Sequence, residues 1–200
     1  MSRRPNPRAE LMRLAVAEEA ARIMGEQGVD DFLQAKRKAA ERLGVTDASI
    51  LPRNTEIEAA LVARQRLFSA ERHEAEIATL RRSALEAMRL MSDFDPRLVG
   101  PVLAGTASAH SEINLHLFSE SAEAVSLRLE ERGVPHEVLE RRMRFERDRL
   151  VSYPALRFVA GRQPVDAVVF PLDGIRQSPC SPVDGKPMRR ASTAEVEQLL

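Results

Sequence analysis

Cysteine, tryptophan and long apolar runs are scarce or absent in this sequence, and each absence excludes a class of protein. Cys180 is the only cysteine among 200 residues, which excludes an internal disulfide. There is no tryptophan and aromatic residues make up 4%, so base stacking on aromatic platforms is not the expected way of binding nucleic acid. No run approaches the roughly 20 apolar residues of a membrane span, and the N-terminus lacks a signal-peptide core. We expect a cytoplasmic protein with no membrane partner, and we take a bacterial cytosol as its setting.

An excess of either charge is also missing. Lys and Arg number 30, and Asp and Glu number 30, so the total charge favours neither nucleic acid nor membrane. The sequence is 44% hydrophobic and 30% charged, which is typical of one globular domain or two small ones. We predict an α+β protein with a helical region at residues 8–93 and a small mixed sheet with one or two covering helices at 94–175. A Pro-rich tail with a short helix then fills 176–200.

The first helices show clear start and stop signals. Residues 8–26 keep helical spacing of apolar side chains, and Asp30 or Asp31 can cap a second helix that reaches Leu43. This second helix is the most basic in the chain and offers a surface for a protein or nucleic-acid partner through Lys36, Arg37 and Lys38. The pair of helices resembles a helix-turn-helix, so a DNA-binding regulator is one functional hypothesis. A plain helical hairpin is the alternative.

The next stretch predicts two further helices. Thr55 and Glu58 have the spacing of a capping box, and the helix that they start is expected to reach residue 68. Another helix is expected to begin near Ser69. The segment that ends at Pro96 stops it, because the residue before a proline disfavours helix.

The central stretch predicts two short strands joined by a turn. An apolar run from Leu98 ends in Gly105-Thr106, and a short polar loop leads to a second apolar strand at residues 112–118. Side chains alternate along a strand, so Glu112, Asn114 and His116 are expected on one face. There His116 can act as a general base, bind phosphate or make an ordinary polar contact.

Further elements follow at regular intervals. A helix capped by Ser119 or Ser121 is expected to reach residue 132. Residues 135–145 alternate as a half-buried strand, although their apolar spacing also suits a helix. Residues 155–160 and 165–172 predict a hairpin. In the tail, Ser192 and Glu195 form a second capping box.

The central residues resemble the nucleotidyltransferase fold of the DNA polymerase beta superfamily. Gly105-Thr106 stands where that family has Gly-Ser, and Ser111-Glu112-Ile113-Asn114 stands where it has Ser-Asp-Ile-Asp. Asp166, in an apolar strand, falls where the family has a third acid. The resemblance covers about residues 75–172. The chain departs from it in having Glu and Asn for two of the aspartates, and in a shorter loop between the strands.

The resemblance implies a metal-dependent nucleotide site. Glu112, Asn114 and Asp166 would be its catalytic residues and would hold Mg²⁺, and a nucleoside triphosphate would be the substrate. Gly105, Thr106, Ser111 and His116 would bind the nucleotide. Because Asn114 is neutral, two functions remain open for this fold: transfer of a nucleotide to an unknown acceptor, or a decayed site in a protein that binds another protein or nucleic acid.

Overall fold

The computed structural model describes residues 7–29, 31–145 and 149–200, except for the side chains of residues 66–70. The protein is α+β, with an N-terminal helical region and a five-stranded mixed sheet. It divides into two compact units. The first contains the chain up to Glu74 with Ser108–His110 and Pro182–Asp184, and the second contains the remainder.

The first unit is built on a helical hairpin. α1 is Pro7–Gln27 and α2 is Phe32–Arg42, which confirms both predicted helices. The Asp31 carboxylate accepts a hydrogen bond of 2.6 Å from the backbone N–H of Gln34 and caps α2. Asp30, the other candidate cap, lies outside the described residues. The core of this unit is formed by small and branched apolar side chains: Val16, Ala17, Ala20, Ala21, Ile23, Met24, Val29, Ala35, Ala39, Ile57 and Leu61.

One long helix, α3, occupies Asn54–Leu90. The prediction of a break near Ser69 is wrong, because the 37 residues contain neither glycine nor proline to end the helix. The capping box at Thr55 and Glu58 is also wrong. The helix begins earlier, and the Glu56 carboxylate accepts from the backbone N–H of Arg53 at 2.8 Å. The two compact units divide within α3 after residue 74, whereas the sequence analysis divides the chain after residue 93.

The second unit contains the sheet, in the order β1-β2-β5-β4-β3. β2 and β5 are parallel, and every other neighbouring pair is antiparallel. The strands are β1 Arg97–Val99, β2 Ile113–Phe118, β3 His136–Arg144, β4 Leu150–Ala160 and β5 Gln163–Phe170. The segment predicted at 135–145 is therefore the strand β3 and not a helix, and the predicted hairpin is the β4–β5 pair.

Two predicted helix caps of this unit are confirmed. α5 is Ala122–Glu131, and the Ser121 hydroxyl accepts from the backbone N–H of Ala124 at 3.3 Å. α6 is Thr193–Glu197, and it begins with the predicted capping box of Ser192 and Glu195. The tail before α6 bridges to β1, because Ala191 pairs with Leu98.

The prediction of a strand from Leu98 to Gly105 is wrong beyond residue 99. The chain turns instead into a short helix, α4, at Gly100–Ala104. Pro101 suits the first turn of a helix, and Gly100 and Gly105 adopt the left-handed φ values of 73° and 78° that glycine tolerates. Gly105-Thr106 therefore ends a helical turn rather than a strand.

The two faces of the sheet differ in character. On one face, alternate residues of β2 (Ile113, Leu115 and Leu117) pack into the main core with the second half of α3. The opposite face has two parts. Its polar end consists of Glu112, Asn114, Arg141, Arg157 and Asp166. Its aromatic end consists of His116, Phe118, Tyr153 and Phe170 with Arg190 from the tail.

Candidate functional site

The polar end is organised by the register of three neighbouring strands. Asn114 of β2 is the Cα partner of Asp166 of β5, and Asp166 is in turn the Cα partner of Arg157 of β4. Partnered residues point to the same face of a sheet, so these three side chains form a row across it. The structure thus brings together Asn114 and Asp166, which are 52 positions apart in the sequence (166 − 114).

Asp166 is the most deeply buried member of the row, with 7% of its surface exposed. Its Oδ2 accepts a hydrogen bond of 2.8 Å from Nε of Arg141. Its Oδ1 is buried and has no hydrogen-bond partner within the described parts of the chain. A buried carboxylate oxygen without a partner is costly, and a cation or a donor brought by a ligand would satisfy it.

Glu112 reaches the same place from the start of β2. Nη2 of Arg157 donates to its two carboxylate oxygens at 2.9 and 3.2 Å. Because β5 lies between β2 and β4, this contact spans the strand that bears Asp166. Nε of Arg157 is buried and has no partner among the residues that the structure describes. Both carboxylates of the polar end are therefore held by guanidinium groups.

Asn114 is held close to the start of α4. Its Nδ2 donates to the backbone carbonyl of Glu112 at 3.3 Å. A Cβ atom on Gly100 would lie 3.3 Å from the same Nδ2, which is closer than side chains usually approach. The glycine therefore gives Asn114 its space, and any larger residue there would push against the amide.

The turn before β2 is supported from α3. The backbone N–H of Thr106 donates to the carbonyl of Pro101 at 3.0 Å, which closes the end of α4. Arg81 donates to two further carbonyls of α4, from Nη2 to Leu103 at 3.3 Å and from Nε to Val102 at 3.4 Å. Burial lowers the pKa of Arg81 below its usual value. Gly105, at the end of α4, lies close to Arg81, because a Cβ atom on this glycine would be 3.7 Å from Nη2 of the arginine. Ser111, the residue before Glu112 in the sequence, is buried.

His116 belongs to the aromatic end rather than to an open site. It is 1% exposed, its Nδ1 accepts a hydrogen bond of 3.0 Å from Nε of Arg190, and its ring centroid lies 4.6 Å from that of Phe170. Burial, and then the charge of Arg190, lower the pKa of His116 to about 3. The imidazole is therefore neutral at ordinary pH and serves as a hydrogen-bond acceptor, which is the polar contact among the three expected roles.

Arg190 anchors the tail on this end of the face. Its guanidinium lies 5.0 Å from the ring centroids of Phe118 and Phe170, and its Nη1 donates to the carbonyl of Gly174 at 2.8 Å. Burial lowers the pKa of Arg190 to about 10. The sequence analysis gave no role to this residue, and a basic side chain in a Pro-rich tail carries no signal of such a contact.

Arg141 and Arg157 were also missed by the sequence analysis. A signal existed for Arg157, which interrupts the otherwise apolar run at residues 155–160. A charged residue within an apolar run suggests a charged partner, and Glu112 is that partner. The sequence could not have identified the pair, because it depends on β5 lying between the two strands.

The polar end offers oxygen ligands of the kind that magnesium prefers. Within the described residues, no group of three or more His, Cys, Asp or Glu side chains is arranged to hold a metal ion. The donor set is two carboxylates, Glu112 and Asp166, with the amide of Asn114 beside them. The unpartnered Oδ1 of Asp166 fits a cation, and the contact of Glu112 with Arg157 spans the same strand. A cation at either carboxylate would compete with the arginine that already pairs with it.

The basic helix α2 lies in the first unit. Arg37 is exposed, Lys36 and Lys38 are half-buried, and burial lowers the pKa of Lys36. A short 3₁₀ turn at Ala48–Ile50 follows before α3 begins. DNA binding by this helix stays a prediction.

No family model, curated protein or solved structure matches this chain. None of the helices in the described part of the chain combines the length and apolar character needed to cross a membrane. The geometry of the polar end is therefore the basis for a proposal about function.

Proposed function

We propose that this chain is a nucleotidyltransferase-like protein that transfers a nucleotide to an acceptor at the polar end. One observation carries the proposal: β2 and β5 are parallel neighbours whose register places Asp166 beside Asn114. The resemblance found in the sequence requires acids from these two strands to meet on one face. The Arg157 contact supports it further, because it spans β5 and ties Glu112 to the face of the sheet that bears Asp166.

The roles of the residues follow from their chemistry. Glu112 and Asp166 would hold magnesium, with Asn114 as a neutral oxygen donor. When bound, magnesium supplies charge neutralisation to a triphosphate and activates an attacking hydroxyl. The resemblance also implies that Gly105 and Thr106, at the end of α4, would bind a phosphate through the backbone and a hydroxyl. Asp166, buried in the sheet, keeps its position without a flexible loop, which favours accurate orientation.

The test is transfer of label to an acceptor. Purified protein is mixed with magnesium or manganese, α-labelled nucleoside triphosphates and a cell extract. The proposal predicts that the wild type and Arg162→Gln transfer label and that Asp166→Asn does not. Arg162 is an exposed arginine on the turn between β4 and β5 and serves as the matched control. Equal label transfer by Asp166→Asn, or none by the wild type with any nucleotide, would contradict the proposal.

A binding module with a decayed site is the second candidate. It is favoured by the two ion pairs, since Glu112 and Asp166 already have cationic partners. In that case the fold would present its helices to a protein or nucleic acid. Nucleotide binding separates the candidates: the decayed site predicts that magnesium leaves nucleotide affinity unchanged, and the transferase predicts that magnesium raises it.

A further inference from the structure

The two arginines of the polar end pair with the carboxylates that a metal would need. The side chain of Asp166 is 9% exposed, whereas that of its partner Arg141 is 31% exposed. Arg157 is 40% exposed, against 31% for its partner Glu112. An incoming ligand can therefore reach both guanidinium groups and Glu112, whereas the Asp166 side chain is almost closed to solvent.

Each guanidinium also keeps donors that its carboxylate does not use. Both bonds from Arg157 to Glu112 leave from one nitrogen, Nη2. Arg141 binds Asp166 through Nε alone and donates its Nη1 to a backbone carbonyl, that of Glu140, at 3.3 Å. A guanidinium has five N–H donors in a fixed fork and pairs with phosphate as readily as with carboxylate. Both arginines are thus positioned to exchange a carboxylate for a phosphate.

Competition follows from charge. A metal ion and a guanidinium cannot both sit against the same carboxylate oxygens without strong repulsion, because both are positively charged and would lie only a few ångströms apart. A phosphate and a carboxylate compete in the same way for one guanidinium. Binding of the metal therefore frees the guanidinium for a phosphate, and binding of the phosphate frees the carboxylate for a metal.

We propose, on the basis of the nucleotide site proposed above, that Arg141 and Arg157 are exchangeable counter-ions that couple metal binding to phosphate binding. In the empty site they neutralise Asp166 and Glu112. When a polyphosphate binds, the guanidiniums pair with its phosphates and the carboxylates become free for the metal. The coupling is reciprocal. A bound polyphosphate raises the affinity of the carboxylates for the metal, and a bound metal raises the affinity of the guanidiniums for the polyphosphate. Either ligand alone binds weakly.

The metal half of the proposal is tested with Mn²⁺ alone, titrated by electron paramagnetic resonance. Arg141→Gln and Arg157→Gln are each expected to bind Mn²⁺ at least about tenfold more tightly than the wild type, because a competing cation is removed. Arg162→Gln, with the same change of charge outside the polar end, should match the wild type. Adding Asp166→Asn to Arg157→Gln should abolish the gain.

The phosphate half is tested with inorganic tripolyphosphate in EDTA, by calorimetry. Glu112→Gln and Asp166→Asn are each expected to bind it at least about tenfold more tightly than the wild type, because each releases a guanidinium. Glu131 is the matched control, since it is an exposed acid at the end of α5, whose buried residues Val125 and Leu129 belong to the core on the opposite face of the sheet. Glu131→Gln removes the same charge away from the two arginines and should change the affinity by less than about threefold.

The predicted result is tighter binding of Mn²⁺ or tripolyphosphate by the variants. Unfolding cannot produce this result, because an unfolded variant would bind more weakly. Circular dichroism confirms the fold of each variant before titration. Wild-type protein that binds Mn²⁺ as tightly as the arginine variants overturns the proposal, and so does the absence of a gain in tripolyphosphate affinity in Glu112→Gln. Neither probe contains a nucleoside. If the variants gain affinity for Mn²⁺ and tripolyphosphate but no label is transferred, only the transferase proposal is rejected. If label is transferred but the variants gain no affinity, only the coupling proposal is rejected.

Discussion

The two ends of one sheet face use arginine in opposite ways. At the aromatic end, Arg190 lies against two aromatic rings, the His116 imidazole and the Gly174 carbonyl. At the polar end, Arg141 and Arg157 each pair with a carboxylate, while Oδ1 of Asp166 has no partner in the described structure. Each end keeps a buried polar atom without a partner among the described residues, such as Nη2 of Arg190 at the aromatic end and Oδ1 of Asp166 at the polar end. The two differ in charge, because an unpartnered carboxylate oxygen attracts a cation whereas an unpartnered guanidinium nitrogen does not.

The comparison separates a polar residue that mainly stabilises from one that is suited to binding. Arg190 makes hydrogen bonds through Nε and Nη1 and contacts two rings, so it contributes to the fold, whereas the unpartnered oxygen of Asp166 costs stability and would be satisfied by a cation. Changes at the aromatic end should therefore reduce stability, and changes at the polar end should mainly alter binding and activity.

The largest expected effect is at the polar end. Asp166→Asn should lower label transfer by about a thousandfold or more, because it removes one of two charged ligands that act as a unit. The melting temperature should change far less than it does on removal of Arg190. Label transfer and thermal unfolding of the same samples check both statements. If Asp166→Asn loses activity only because it unfolds, the proposed difference between the two ends is contradicted.

Removal of the arginine at the aromatic end should have the next largest effect. Arg190→Met keeps an apolar stem over the two rings but loses the bonds to His116 and Gly174. The free energy of unfolding should fall by about 2 to 4 kcal/mol, as expected for charged hydrogen bonds in a partly buried place. Arg189→Met, at the exposed neighbouring position, should cost less than about 0.5 kcal/mol. Denaturant unfolding measures both, and equal losses would deny Arg190 its anchoring role.

Acid should weaken the aromatic end through His116. Its folded pKa of about 3 lies below the ordinary 6.5, so the unfolded chain binds the proton more readily between these values. The stabilisation by neutral His116 is present above pH 6.5 and is lost as the pH falls toward 3. Within that window it should decrease by about 1.4 kcal/mol per pH unit. Unfolding of the wild type and His116→Gln from pH 7 to 4.5 tests this, and parallel pH profiles would contradict it.

The smallest effect expected is at the glycine beside Asn114. Gly100→Ala and Gly133→Ala both place a side chain at positive φ, 73° and 65°, which should cost about 1 to 2 kcal/mol. Only the first brings a Cβ to 3.3 Å from Asn114 Nδ2, since nothing lies within 4 Å of the second. Thermal unfolding should show a similar loss for both, whereas label transfer should decrease only in Gly100→Ala. Loss of transfer in Gly133→Ala as well would point to a general effect of stability.

Local signals in the sequence sufficed for much of the fold. Caps at Asp31, Ser121 and Ser192 each depend on residues within one helical turn, and all three are present. The apolar run after Leu98 misled, because its composition suits a strand while Gly100-Pro101 starts a helical turn. Two separate helices were predicted within α3 from the spacing of apolar residues. The structure has one helix there, because the segment contains no glycine or proline to break it.

The candidate site was only half accessible to sequence reasoning. Glu112, Asn114 and Asp166 were found through their resemblance to a known pattern, but their partners were not. The pairs of Glu112 with Arg157 and of Asp166 with Arg141 depend on the strand order β2-β5-β4-β3, which no local signal specifies. The contact between Arg190 and His116 joins residues 74 positions apart and is equally non-local.

A crystal structure with Mn²⁺ and a non-hydrolysable nucleoside triphosphate analogue tests the central claim most directly, through the anomalous signal of manganese. The account predicts a peak between the carboxylates of Glu112 and Asp166, with the guanidiniums of Arg157 and Arg141 turned to the phosphates. Arg190 should remain on His116. A peak elsewhere, or no peak while both ion pairs stay closed, would contradict the account.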